Sequence, residues 1–413
     1  MRILLLLGVL CFVSHLNALT LNEAINLALK FNPSLNQNII GKKIQEKKTA
    51  QFIASQFGEF NYINSITKYD SPRVLQPITF KYRARDILYT GIEYKVPLFT
   101  GFELTENIKI SKLNENLQNF SIKLTKNQLI FNIKSIYFKI LSLKHQLEAM
   151  KEYKKSLKLL YQNVSLMVKT GKKPEVDLLK VDYDLKNVEA LIEQIENNIN
   201  TLKSALKEII GKEDLKIDKI QEVKLHKNFI PALPDMNKIT SIKLENLKTE
   251  IAKENVKKAK SLLYPQITLN SNVFEIYGNG NDVNTYEVTL NLKFNIFDFG
   301  KRRKIIEEAK LQKEKTALEK LKIRLKKEKE INEAINKIKT EKAKIISYKK
   351  QINFAKEEER IEKLKYEHGT SQIYDYLYAK SRRFIAESKY YNALYNHELA
   401  IAYYEYIIEK WAK

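Results

Sequence analysis

The sequence predicts a mixed fold, a membrane β-barrel joined to a long α-helical coiled-coil barrel, with two internal repeats and four strands per chain. Three observations predict it. First, 413 residues carry only 11 Gly and 8 Pro, so the chain has few breakers and must be built from few, very long elements. Second, the stretch YEVTLNLKFNIFDFGKRRK, Tyr286 to Lys304, alternates apolar and polar residues through Ile296, then gives way after Gly300 to helical spacing that persists for more than sixty residues. Third, short motifs recur at a constant offset of 198 residues: Phe99 with Phe297, Gly171 with Gly369, Asp177 with Asp375, and Ile209-Ile210 with Ile407-Ile408.

The elements follow in order. Met1-Arg2, an apolar run from Ile3 to Val13 and a small residue at Ala18 read as a secretory signal over residues 1–18, too short to span a bilayer as a helix. Cys11, the sole cysteine, lies within it and follows Leu10 rather than a small residue, which favours ordinary cleavage over lipidation. The mature chain then uses neither disulfide nor thiolate chemistry.

The first repeat, residues 19–211, opens with a helix over about Leu21 to Phe57. Strands follow over about Glu59 to Lys68 and Asp86 to Leu98, then a helix from about Glu103 to Val168, roughly 100 Å long at ~1.5 Å per residue. A reversal at Gly171 leads into a further helix of about forty residues; Gly suits a helix C-terminus, while Pro174 and Asp177 suit the next helix's first turn. Residues 212–235, with Pro231 and Pro234, read as a linker. The second repeat, residues 236–413, repeats the order: a helix over about Met236 to Leu263, strands over about Gln266 to Tyr277 and Asn284 to Phe297, a long helix over about Lys301 to Tyr366, a reversal at Gly369 and a last helix.

Alternation alone also suits a soluble sheet. Here, however, one face continues through Leu88, Ile92, Tyr94 and Val96 in one half and Tyr286, Val288, Leu290, Leu292 and Phe294 in the other, on strands of about ten residues, enough to cross a tilted barrel wall. Four strands cannot close a water-filled barrel, and an open sheet edge cannot sit in lipid. Chains must therefore pool their strands, and three would supply twelve. The long amphipathic helices, with Ile130, Ile133, Ile136, Tyr137, Ile140 and Leu141 as one stripe, must likewise pack side by side rather than around a compact core.

The order helix, strand pair, long helix, reversal and helix, occurring twice after a signal segment, resembles the TolC family of outer-membrane efflux proteins. So do Leu19-Thr20-Leu21-Asn22-Glu23-Ala24-Ile25 with Asn32-Pro33, Pro97-Leu98-Phe99-Thr100-Gly101 at a strand exit, and the two Gly…Asp-x-Leu turns. The resemblance covers essentially the whole mature chain. It implies a homotrimer in the outer membrane of a Gram-negative bacterium, with a large periplasmic portion, a twelve-stranded barrel and a twelve-helix tunnel. Such a protein is a passive exit duct for an efflux or type I secretion system, served by a periplasmic adaptor and an inner-membrane pump of RND or ABC type. No enzyme activity and no cofactor are implied.

By the same resemblance the tunnel is gated at its periplasmic tip. Carried over by position, Asp375 matches a lumen-facing acidic residue, Tyr378 stands where a second one falls, and Tyr366 and Asp177 match residues that latch the closed state. Ser371 replaces an arginine found in some relatives. The adaptor is expected to dock near the Gly171 and Gly369 turns. A ring of Asp375 near an axis would repel its own copies and attract cations, although Asp375 and Asp177 also suit helix N-termini simply through the dipole.

Net charge is +23, Arg2 contributing one, but Lys and Glu interleave along helix faces as in Lys326-Lys327-Glu328-Lys329-Glu330, so a solvated surface explains it better than nucleic acid. His145, His226, His368 and His397 lack metal-ligand spacing, and neither a phosphate loop nor a nucleophile elbow occurs. The competing reading is a periplasmic adaptor, which would carry one coiled-coil hairpin flanked by Gly-rich β segments.

Overall fold

The computed structural model describes residues 18–74, 83–226, 228–278 and 281–412; the expected signal segment with Cys11 lies outside them apart from Ala18. The elements are α1 (Leu21–Phe31), α2 (Pro33–Ala54), β1 (Glu59–Val74), β2 (Arg83–Phe99), α3 (Glu103–Lys169), α4 (Glu175–Ile210), α5 (Thr240–Ser261), β3 (Gln266–Gly278), β4 (Asn281–Lys293), α6 (Lys301–Glu367) and α7 (Ile373–Ile407). No helix among the described residues is long and apolar enough to cross a membrane.

The first helix is two helices rather than one. Pro33 lacks an amide hydrogen and pushes the residue before it toward extended backbone, and Asn32 has φ −58° and ψ 122°. Its side chain caps α2 by accepting from the Leu35 amide at 2.9 Å, while its Nδ2 donates to the Ile209 carbonyl at 2.7 Å. α1 itself opens on a capping box: Thr20 Oγ1 accepts from the Glu23 amide at 3.1 Å and Glu23 Oε2 from the Thr20 amide at 2.9 Å.

The four strands form one antiparallel sheet in the order β1-β2-β3-β4, leaving β1 and β4 as unpaired edges. The β1–β2 strands run longer than the alternation suggested, whereas β4 stops at Lys293 because its ladder ends where Lys293 meets Gln266, the residue after Pro265. Phe294, expected on the strand, therefore lies past its end. Register sets Phe60 beside Tyr94, Tyr62 and Val273 beside Ile92, Ile66 and Tyr277 beside Leu88, Leu269 beside Val96 and Leu290, and Ile267 beside Leu292. One face of the sheet is thus apolar across all four strands. Tyr286 is 81 % exposed, and Val288, Leu290 and Leu292 are each about two-thirds exposed, so among the described residues the β4 part of that face is uncovered.

The 198-residue offset recurs in the backbone. Positive φ occurs at Gly101 (64°) and Phe299 (56°), Phe102 (72°) and Gly300 (86°), Gly171 (68°) and Gly369 (75°), and Gly211 (75°) and Glu409 (56°), each pair one offset apart. Among the described residues only Gly58 has a positive φ outside this pattern. The strand-to-helix turn needs two consecutive left-handed residues in each half, and one half orders them Gly-Phe, the other Phe-Gly. A side chain there costs about 1–2 kcal/mol per residue, so the geometry is kept although the residue bearing the strain has moved.

The chain forms two compact units, each drawing on both halves: Met1–Asn36 with Lys123–Pro234 and Lys327–Lys413, and Gln37–Ile122 with Asp235–Lys326. In the second unit, which holds the sheet, α2 meets α3 through a bond between the Thr49 and Ser111 hydroxyls at 2.8 Å, with Gln45 Nε2 3.0 Å from Ser111 Oγ. In the first unit, the described residues of 212–234 form no helix but are tied down by tyrosines. The Tyr137 hydroxyl sits between the Leu19 and Gln221 carbonyls at 2.9 and 2.7 Å, Tyr395 donates to Glu222 at 2.9 Å, and Tyr404 donates to the Ala232 carbonyl. The buried Glu398 accepts from the His226 amide at 2.5 Å and pairs with its Nδ1 at 2.8 Å.

Candidate functional site

The first unit ends its helices at two glycine turns. After α3, Gly171 donates its amide to Val168 at 3.0 Å and Lys172 to Met167 at 2.8 Å; after α6, Gly369 donates to Tyr366 at 3.1 Å and Thr370 to Lys365 at 2.9 Å. Both are Schellman caps, which need a left-handed residue at the glycine. Nothing lies within 4 Å of where a Cβ would sit on either glycine, so conformation alone selects Gly. Gly171→Ala and Gly369→Ala are each expected to lower stability by about 1 kcal/mol in urea unfolding; an unchanged midpoint would show that the turn can relax to another cap.

α7 starts with Gln372 as N-cap, and Asp375 Oδ2 reaches back to the Gln372 amide at 3.3 Å. Asp375 and Tyr378, one helical turn apart and both exposed, line a single open groove of about 450 Å³ with Glu358, Glu362, Lys365 and Ser371. Lys365 is held above the usual lysine range by its bond to Glu362 at 2.8 Å, with a smaller contribution from Asp375. Tyr378 stacks on Tyr374 with centroids 6.2 Å apart, beneath the Arg382 guanidinium at 5.8 Å, and that guanidinium is held by Glu358 at 2.7 Å. Tyr378 also borders a second groove of about 420 Å³, between α4 and α7, whose walls include Val176, Leu179, Tyr183 and Leu377.

Tyr366 and Asp177 are not in the groove that holds Asp375. Tyr366 is buried in the apolar cluster of Leu157, Val164, Ile373, Leu377 and Phe384, its ring stacked on Tyr376 at 6.1 Å and covered by Lys173 Nζ at 4.4 Å. Burial pushes its phenol up, and the negative charge of Asp177 adds to the shift. The geometry thus separates an exposed pair, Asp375 and Tyr378, from the buried Tyr366 and the half-buried Asp177 whose charge reaches it.

Sequence reasoning missed the buried charges behind this tip. Lys380 is 6 % exposed, donates to the Tyr376 hydroxyl at 3.0 Å and lies 4.0 Å from Glu359, which also pairs with Arg383 at 2.9 Å. Burial depresses the Lys380 amine and raises the Tyr376 phenol to about 12. Only the i, i+4 spacing of Tyr376 and Lys380 hinted at the bond; Glu359 lies on another helix, a separation local patterns do not register. Among the described residues no cluster of three His, Cys, Asp or Glu side chains could hold a metal ion.

The fold is shared with solved outer-membrane channels. The CmeC outer membrane channel of Campylobacter jejuni superposes with a TM-score of 0.83 at 19 % identity, covering 94 % of this chain and 85 % of that one. VceC of Vibrio cholerae gives 0.80 at 14 % identity over 94 % and 96 %, and the MtrE channel of Neisseria gonorrhoeae, in its open state, 0.80 at 16 % over 94 % and 88 %. What these comparisons share with the chain is the fold, long helices joined to a four-stranded antiparallel sheet. Residues 241–402 match the family described as outer membrane efflux protein, in line with the resemblance drawn from the sequence. No curated protein matches the chain in sequence.

Proposed function

We propose that this chain is the protomer of a homotrimeric efflux duct in the outer membrane of a Gram-negative bacterium. The observation that carries the reading is the sheet: four antiparallel strands with two unpaired edges and one uncovered apolar face. Edges and face are both satisfied if three copies close a twelve-stranded barrel and turn Leu88, Ile92, Tyr94, Val96, Tyr286, Val288, Leu290 and Leu292 to lipid. Phe294, just past β4, would meet the membrane interface. The helices of three copies form a twelve-helix periplasmic tunnel, gated at the tip by Asp375 and Tyr378 with Tyr366 and Asp177 as its internal latch. The Gly171 and Gly369 turns are the docking points for a periplasmic adaptor, which joins the duct to an inner-membrane pump of RND or ABC type. The duct is passive and catalyses no reaction. Residues 1–18 direct export, and residues 19–211 and 236–413 are duplicated halves joined by the strap 212–235.

An adaptor would carry one hairpin and lipoyl-like flanks; two hairpins and a single edge-open sheet among the described residues favour the duct. Cryo-EM class averages of protein extracted by detergent from the outer-membrane fraction test it. Threefold particles are expected; water-soluble monomers would overturn the duct.

A further inference from the structure

Near its C-terminal end the strap reads Phe229-Ile230-Pro231-Ala232-Leu233-Pro234, and these six residues belong to no helix or strand. Their backbone is nonetheless restricted. The two pyrrolidine rings fix φ at about −65°, and each disfavours helical backbone at the residue before it, so four of the five residues from Ile230 to Pro234 are biased toward polyproline II. That helix has about three residues per turn, which sorts the six side chains into three edges.

Exposure follows the same period. Phe229 and Ala232 are the pair that is tied down, one by its ring and the other by its carbonyl. The Phe229 ring packs on the buried cluster of Ala334, Ile338, Ala400, Ile401 and Tyr404, its centroid 5.8 Å from that of Tyr404, and the Tyr404 hydroxyl donates to the Ala232 carbonyl. Ile230 and Leu233 share the next edge and are 86 % and 78 % exposed. Pro231 and Pro234, both partly exposed, form the third.

Two large aliphatic side chains left in water on one edge, each followed by a proline, contribute nothing to this chain's own packing. We infer that Ile230-Pro231-Ala232-Leu233-Pro234 is a presented ligand for a partner protein whose aromatic-lined groove reads polyproline II segments. A groove lying along such a helix touches two of its three edges, here the aliphatic and the proline edge, and leaves the third to the anchors. Because Phe229 and Tyr404 already hold the segment, binding orders little that was free before. A second copy of this chain is a poorer occupant. Four side chains on one short segment fall short of the roughly 800 Å² a side that a stable protein pair buries, whereas a narrow groove can enclose them. That the partner is periplasmic rests on the duct proposed above; the motif itself does not.

Photo-crosslinking from Asn228, exposed and just outside the motif, tests this in intact cells carrying the full chain. Asn228→p-benzoylphenylalanine is expected to give an adduct with a second protein, at a site that mass spectrometry maps beside the tyrosines or tryptophans of a groove. Adding Ile230→Ser with Leu233→Ser should lower the adduct on the order of tenfold, whereas Ile230→Val with Leu233→Met should keep it. Both side chains are exposed, so neither pair of changes disturbs the core. In permeabilised cells a peptide of residues 228–235 should compete the adduct away, and the same peptide with glycine for both prolines should not.

Adducts confined to other copies of this chain overturn the motif, as does an adduct that ignores the serine pair, one that maps to a surface without aromatic residues, equal competition by the two peptides, or no adduct at all. Class averages of protein extracted from the same cells report on the duct separately. Threefold particles without a serine-sensitive adduct remove the motif and leave the duct; water-soluble monomers that keep the adduct do the reverse.

Discussion

Converting Asp375 and Tyr378 together to Ala is expected to raise single-channel conductance in planar bilayers several-fold. Both side chains are exposed in one groove, and three copies near an axis would narrow the tip with charge and aromatic bulk. Asp375 also caps α7 through the Gln372 amide at 3.3 Å, so its loss alone would cost about 1 kcal/mol of helix stability, and the double variant mixes two effects. Asp375→Asn separates them. The amide oxygen still accepts the capping bond while the charge is gone, so a gate role predicts weaker cation preference with little change in stability. Unchanged conductance in the double variant, with unchanged selectivity in Asp375→Asn, would leave Asp375 as a helix cap and remove both residues from the gate.

Lys134→Met is expected to destabilise the first unit by about 3 kcal/mol, because it strips a partner from a buried carboxylate. Glu405 is 5 % exposed and holds Lys134 Nζ at 3.0 Å and Lys410 Nζ at 2.5 Å; Lys134 also sits 4.3 Å from the Trp411 ring centre. Burial works to raise the Glu405 carboxyl, but the bonds and charges of Lys410 and Lys134 outweigh it and hold the group below the usual glutamate range. A depressed folded value means that the stabilisation is complete above the ordinary glutamate range and fades as pH falls through the lower, folded one. With Lys134 gone the folded value rises, so acid unfolding should begin at higher pH. Urea unfolding across pH 3 to 7 measures both effects. A midpoint within experimental error of the native protein would mean that Lys410 alone satisfies Glu405. Lys134→Met with Glu405→Leu should recover part of the loss, since a buried ion pair replaced whole by apolar groups is often tolerated.

The long elements were legible because so little interrupts them. Helical spacing over α3 and α6 and period-2 alternation over β4 are signals that accumulate along the chain, and Gly171 and Gly369 mark reversals that only a left-handed residue permits. The break at Asn32-Pro33 was also written in the chain, yet a long apolar pattern was read across it; the capping bond from Asn32 to Leu35 is local and could have been anticipated from the Asn-Pro pair. Other features could not. The end of β4 depends on where β3 begins, and the anchoring of residues 212–234 depends on tyrosines far along the chain. At the tip, position alone groups the four candidates together, and only side-chain packing separates the exposed Asp375 and Tyr378 from the buried Tyr366.

The paired positive-φ turns bear on how a partner could meet the proposed duct. Each protomer offers two reversals of the same backbone shape, yet one continues as Gly171-Lys172-Lys173-Pro174 and the other as Gly369-Thr370-Ser371-Gln372. A threefold assembly of such protomers presents an even number of near-equivalent seats in strict alternation, basic then neutral. A partner that reads backbone shape would fill all of them. One that reads charge would fill every second seat, so the stoichiometry of the complex would halve with no change in the fold of either protein.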